Sequence, residues 1–196
     1  VHVTCMTGCY PDKTGVYSNE HFVLGELNPP WYNSLSDVKT ETIFHAAKKA
    51  GLTTAACRWP VTANGDDVID YLVPEIMDAD LDGDLQSVYA RLGSGRIIED
   101  IVKPNLSMLD GNKRPQYDAF EIKCAADIIK KYKPNLLFTH PGLVDHTRHE
   151  TGLFNDQVTD ALYTVDNWLG ELFRAAEEAG IADDTDFVMM ADHGHL

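Results

Sequence analysis

Basic residues are scarce in this sequence: 16 Lys and Arg stand against 31 Asp and Glu, a formal net charge of -15. Such a surface repels phosphate backbones and anionic bilayers, so no nucleic-acid polymer is expected as a partner. Cysteine is also sparse. Cys5, Cys9, Cys57 and Cys124 are scattered, with neither a CxxC pair nor the dense spacing of a disulfide framework, and reduced, partly buried thiols are expected. No apolar run approaches the ~20 residues a membrane span needs. No basic-then-apolar leader opens the chain, and no repeat or low-complexity tract interrupts it. The first residue is Val1 rather than methionine, so the expectation is a piece of a longer chain whose compartment stays open.

What is present is ordinary globular material, 196 residues of which 44% are hydrophobic, enough to bury a core and short enough for residues 1–196 to form a single domain. The N-terminal stretch is rich in Gly and Pro and reads as connection, with a short helical turn closed at Thr7-Gly8. Ser36-Asp37 is expected to cap a helix running to Ala50 and closed by Gly51, followed by a strand from Thr53 to Trp59 that ends at Pro60. Ile69 to Met77 reads as a helix broken at Pro74. A further helix is expected over Leu85 to Arg91, continuing beyond Gly93 and Gly95 to Val102, and another from Arg114-Pro115 to the lysines before Pro134. The short runs at Leu136 to Phe138 and Phe187 to Met190 read as strands, and apolar residues at helical spacing mark a long helix from Asn155 to Ala179. This alternation predicts an α/β fold, a three-layer α/β/α sandwich around a mostly parallel sheet.

The acidic stretch Asp78, Asp80, Asp82, Gly83, Asp84 has the opening of a calcium loop, but Tyr89 stands where a bidentate Glu is needed, and a solvated turn is expected instead. The stronger chemical signal lies where the two apolar runs stop. Leu136-Leu137-Phe138 leads through Pro141-Gly142 to Asp145 and His149, and Phe187 to Met190 leads directly to Asp192 and His193. Ligands of parallel sheets gather beyond the carboxyl ends of strands, and Asp with His is the donor set of hydrolytic divalent-metal sites. Four such groups on two strand ends suit a pair of cations clamping a phosphoryl group. His140, His146 and His195 are additional candidates, expected beside the ligands or facing solvent. His45 reads as a packing or surface residue inside a helix, and composition assigns nothing to His2 or His21.

The succession TGCYP, GVYSN, RWPVT, KPNLLFTHPGLVDHTRHETG, TVDNWLGELF and TDFVMMADHGH resembles the type I phosphodiesterase/nucleotide pyrophosphatase family of the alkaline phosphatase superfamily over nearly the whole chain. The resemblance implies an alkaline-phosphatase-like fold and hydrolysis of phosphodiester or pyrophosphate bonds in small nucleotide-like esters. It further implies two divalent cations, zinc by preference, and a covalent Thr or Ser intermediate. Asp145 and His149 match the ligands of one metal, Asp192 and His193 those of the other, and Asn19 matches the residue that steadies a substrate phosphate oxygen. The nucleophile and one metal-binding Asp are then expected before Val1, and a last metal-binding His after Leu196, within a larger catalytic domain. Related activities of the superfamily (phosphomonoesterase, phosphonoacetate hydrolase, sulfatase, phosphomutase) share these ligands and stay open, as does a non-catalytic binding domain that retains the fold.

Overall fold

The computed structural model describes residues 1–77, 80 and 83–195; Asp78 and Asp82 of the acidic stretch lie outside the described residues. Short helices open the chain, α1 at His2–Thr7 and α2 at Pro11–Thr14, each closed by a glycine in the left-handed region, Gly8 at φ 66° and Gly15 at φ 79°. Next come α3 (Ile43–Lys49), β1 (Thr54–Cys57), β2 (Tyr71–Val73), α4 (Leu85–Leu92), α5 (Lys103–Asn105), α6 (Gln116–Tyr132), β3 (Leu136–Thr139), α7 (Leu143–Thr151) and α8 (Asp156–Ala179). The strands form one parallel sheet in the order β2-β1-β3, with Ala55 of β1 opposite Tyr71 on one side and Leu137 on the other.

Side chains alternate across a strand, so the central strand serves two cores. Ala55 and Cys57 join Val73, α4, α6 and α8 on one face, while Ala56 joins Leu72, Trp59, Phe44 of α3 and Val3 and Met6 of α1 on the other. Helices thus cover both faces of the sheet, giving the layered α/β/α arrangement. The layer on the first face is anchored by α6, which packs against all three strands and against α8.

Several expected elements form elsewhere. Residues 69–77 are not a broken helix: Tyr71–Val73 pairs with β1 as β2. Pro74 disfavours the helical region for Val73, and an aromatic and a β-branched residue flank Leu72, a pattern that suits a strand. Ser34, not Ser36-Asp37, caps a 3-10 turn at Leu35–Asp37, and α3 starts only after Thr42, whose hydroxyl accepts from His45 N–H while the His45 ring answers the Thr42 N–H. His45 is therefore a capping residue. β1 stops before Arg58 because Arg58 takes φ 55°, outside the extended region. The run Phe187 to Met190 has no ladder partner among the described residues, and Val188 and Met189 are 81% and 78% exposed. Its apolar residues do not alternate into a core; the Phe187 ring packs edge-on against Phe173 of α8, with centroids 4.5 Å apart.

Gly93, just past α4, lies so close to β2 that an added Cβ would sit 2.5 Å from the Leu72 carbonyl oxygen and 2.6 Å from Pro74 Cδ. Both are backbone-bound atoms that cannot swing aside. Gly93→Ala is expected to destabilise the chain by about 1–3 kcal/mol, the usual cost of overpacking, read as a lower urea midpoint; an unchanged midpoint would contradict the close approach.

Candidate metal centre

The carboxyl end of β3 leads through His140, Pro141 and Gly142 into α7, and this junction is tied down from α6. Glu121 Oε1 accepts from Thr139 Oγ1 at 2.5 Å and from His140 N–H at 2.7 Å, and Asp118 Oδ1 accepts from Gly142 N–H at 2.9 Å. Both carboxylates are fully buried. Arg58 makes them tenable: Nη1 donates to Asp118 at 2.7 Å and to Glu121 at 3.2 Å, and Nη2 donates to Glu75 at 3.4 Å. Arg114 also pairs with Asp118, and the Arg58 guanidinium lies 4.2 Å from the Tyr117 ring centroid. Burial pushes Glu121 up to about 7 despite the opposing pull of Arg58, and burial likewise raises Glu75.

From this anchored junction α7 carries Asp145 and His149 one turn apart, with His149 Nε2 3.4 Å from Asp145 Oδ1. The C-terminal stretch comes to the same place. His193 Nε2 lies 3.8 Å from Asp145 Oδ1 and 3.3 Å from Asp192 Oδ2, so His193 stands between the two carboxylates. His195 Nε2 approaches Asp145 Oδ1 to 3.0 Å. The four predicted residues Asp145, His149, Asp192 and His193 are thereby brought together beyond the end of β3. Asn19 lies in the N-terminal loop, where it is exposed, its backbone carbonyl accepts from Tyr32 N–H at 2.9 Å, and its side chain makes no hydrogen bond among the described residues.

Further histidines complete the cluster: His140 and His195, the additional candidates, and His2, to which composition assigned nothing. His2, at the start of α1, places Nε2 3.5 Å from Asp192 Oδ2, and its ring centroid is 4.3 Å from that of His140. Two sets of potential ligand atoms result, His2 with His140 and Asp192, and Asp145 with His193 and His195, each set lying within 4.8 Å. His140 and His195 follow the same strand-end and D-H-G-H grammar that singled out their neighbours. His2 offered no such signal, because its position depends on Val3 and Met6 docking α1 into the core.

These donors fit a divalent cation. Asp145 Oδ1, His2 Nε2, His140 Nδ1 and both ring nitrogens of His195 are buried without a hydrogen-bond partner. Even the 3.0 Å approach of His195 to Asp145 is not aligned as a hydrogen bond. Buried polar atoms left so cost about 1–3 kcal/mol each, and lone pairs that converge without sharing protons are what an ion requires. Burial also drives His140 down to about 4 and lowers His2, and the neutral imidazole is the form that ligates. Asp145 and His193 stay partly open to solvent, which leaves a substrate access to the cluster.

Ectonucleotide pyrophosphatase/phosphodiesterase family member 3 of Rattus norvegicus is 23% identical over 204 residues, covering 98% of this chain and 19% of that protein. Venom phosphodiesterase 2 of Crotalus adamanteus is 22% identical over 204 residues, and venom phosphodiesterase of Naja atra 24% over 201, each alignment covering 98% of this chain and 20% of the relative. The chain thus spans about a fifth of the length of the curated relatives it matches. Residues 1–196, from the α1 histidine to the Asp192-His193 pair, match the family described as Type I phosphodiesterase / nucleotide pyrophosphatase, and the chain belongs to that family.

Proposed function

We propose that residues 1–196 act as one domain, supplying metal-holding groups to an enzyme that hydrolyses phosphodiester or pyrophosphate bonds in small nucleotide-like substrates. The observation that carries this reading is the convergence of Asp145, whose Oδ1 is buried without a hydrogen-bond partner, with Asp192 and His193 beyond the end of a parallel strand. Asp145 and His149 would hold one divalent cation and Asp192 and His193 the other, with zinc the preferred ion for such donors. Bound there, the pair would polarise the phosphoryl oxygens and invert the negative field of an acidic protein. The chain's own part is positional. Asp118 and Glu121 fix the β3-α7 junction, α7 presents Asp145 and His149 on one face, and His193 spans the gap between the two carboxylates. Asn19 would steady a phosphate oxygen, and hydrolysis would pass through a covalent threonine or serine intermediate.

The test assays the full-length protein on a nitrophenyl nucleotide diester, a nitrophenyl phosphate monoester and a nitrophenyl sulfate, each with zinc and with a chelator. Hydrolysis of the diester above the other two, lost on chelation and restored by zinc, is the expected result. Preference for the monoester or the sulfate would move the chain to another activity of the superfamily, and chelator-insensitive turnover would remove the cations from the reaction.

A further inference from the structure

We infer that Arg148 is a specificity-determining residue whose guanidinium binds a second phosphoryl group of the substrate, the one linked to the group held at the cations. This deepens the reading above, which leaves phosphodiesters and pyrophosphates equally open, and it rests on that reading. Substrates with two linked phosphoryl groups become the preferred class.

Helix α7, Leu143–Thr151, carries Arg148 three residues after Asp145 and one before His149. Side chains three apart on a helix are neighbours, ~5–6 Å between Cβ atoms, so Arg148 flanks the Asp145 ligand. It is not engaged by it. Asp145 Oδ1 is approached by His149, His193 and His195 instead, and the Arg148 side chain makes neither a hydrogen bond nor an ion pair among the described residues. Its other neighbours at helical spacing, Val144, Thr151 and Gly152, carry no charge. Arg148 is half-buried, and its Nε is shut off from solvent without an acceptor. A charged donor left so is costly, and an anion that supplies the acceptor relieves the cost.

The other arginines near the β3-α7 junction are occupied: Arg58 donates to Asp118, Glu121 and Glu75, and Arg114 pairs with Asp118. Farther off, Arg96 lies 3.7 Å from Asp70, and Arg91 donates to the Asp80 carbonyl at 3.3 Å. Arg174 shares the lack of a partner, but it is exposed on α8. In a chain of net charge -15, an arginine without a carboxylate beside a candidate phosphate site is the exception. A substrate with two phosphoryl groups brings one to the cations and the other beside them, where the acidic surface opposes it. A guanidinium fork answers that second group, matching two phosphate oxygens at once. A cation in the last turn of α7 also suits the helix dipole, but that role would be read in stability and would not distinguish one substrate from another.

The test compares kcat/KM of the zinc-loaded full-length protein on a dinucleoside pyrophosphate, with two linked phosphoryl groups, and on a nitrophenyl nucleotide diester, with one. Arg148→Gln is expected to lower the value for the pyrophosphate ~10–100-fold more than for the diester, the worth of a hydrogen bond to a charged group, with the loss carried in KM. Arg148→Lys should recover part of it, since an ammonium keeps the charge without the fork. Arg174→Gln should change neither value. Circular dichroism and zinc content verify that Arg148→Gln keeps its fold and its cations; loss of zinc from the folded variant would overturn the inference, because Arg148 would then act on the cations. Equal losses on both substrates, or none on either, would also overturn it and leave the metal-dependent reading standing. Titration calorimetry reads binding apart from turnover. A methylene-bridged analogue of the dinucleotide should bind Arg148→Gln ~10–100-fold more weakly, and a nucleoside monophosphate should lose far less. Should the unsubstituted protein cleave neither substrate, the proposed function falls, and this titration decides the inference: a selective loss upholds it and its absence overturns it.

Discussion

Arg58→Met should lower the folding stability of the chain by about 3–5 kcal/mol, the cost of leaving buried charges without their partner. Arg58 is 3% exposed and donates to Asp118, Glu121 and Glu75. Methionine fills much of the space but supplies none of the donors. Urea unfolding followed by circular dichroism reads the loss. Arg58→Lys should fall between the two, since a single ammonium keeps the charge but cannot fork to several carboxylates. The cause can be separated from simple packing by a second change. In the Arg58→Met background Glu121→Gln should restore part of the stability, because the neutral amide removes a buried charge. In the unsubstituted chain the same Glu121→Gln should be destabilising, since it breaks an existing pair. A loss below ~1 kcal/mol for Arg58→Met, or no reversal of sign for Glu121→Gln, would show that the network does not hold the fold together.

Asp145→Asn should remove most of the stabilisation that the zinc at its own site confers, lowering the total zinc-induced rise, while leaving the metal-free chain nearly unchanged. Asp145 Oδ1 lies within 4 Å of the Nε2 atoms of His149, His193 and His195, so it is the shared anion of its set. Its side chain is 45% exposed, and in the presence of a chelator the substitution should stay within about 0.5 kcal/mol, as surface changes do. A ligand that binds only the folded state stabilises it by ~2.7 kcal/mol at a hundred times its Kd. Losing a direct ligand should reduce zinc affinity by more than the ~10–100-fold that outer partners typically contribute, and most of that increment disappears. The measurement is the difference in Tm with and without zinc. An equal zinc-induced rise in both proteins would exclude Asp145 as a ligand.

The elements punctuated by their own residues were legible. Gly180 closes α8 and Asn155 caps it as the spacing indicates, with the Asn155 side chain accepting from Val158 N–H. The apolar stripe of α8 was less so: Leu162 and Phe173 share its periodicity yet are 49% and 40% exposed, because the repeat of a helix does not say where its neighbour ends. Proline misled at residue 74, since the same residue stops a helix and follows a strand. The converse holds at residues 187–190, where an apolar run signals a strand but cannot supply the adjacent edge that makes one. For the site, the four-residue spacing of Asp145 and His149 implied a shared helix face, and α7 provides it. The Arg58 network was invisible, because charged residues separated by 60 and 63 positions become partners only when β1 and α6 are packed.

The two halves of the candidate metal centre are mounted differently. Asp145 and His149 are carried by a helix whose backbone is already ordered by its own hydrogen bonds, whereas Asp192, His193 and His195 follow the run from Phe187 to Met190, which has no ladder partner among the described residues. Fixing one residue's backbone costs about 1–2 kcal/mol in conformational entropy, and without ladder bonds that cost falls on whatever binds at the end of the run. For a cation held as proposed, affinity would then depend on how residues 187–190 are ordered as much as on the ligands. A backbone partner pairing with residues 187–190 would tighten that proposed cation site without touching a single donor atom.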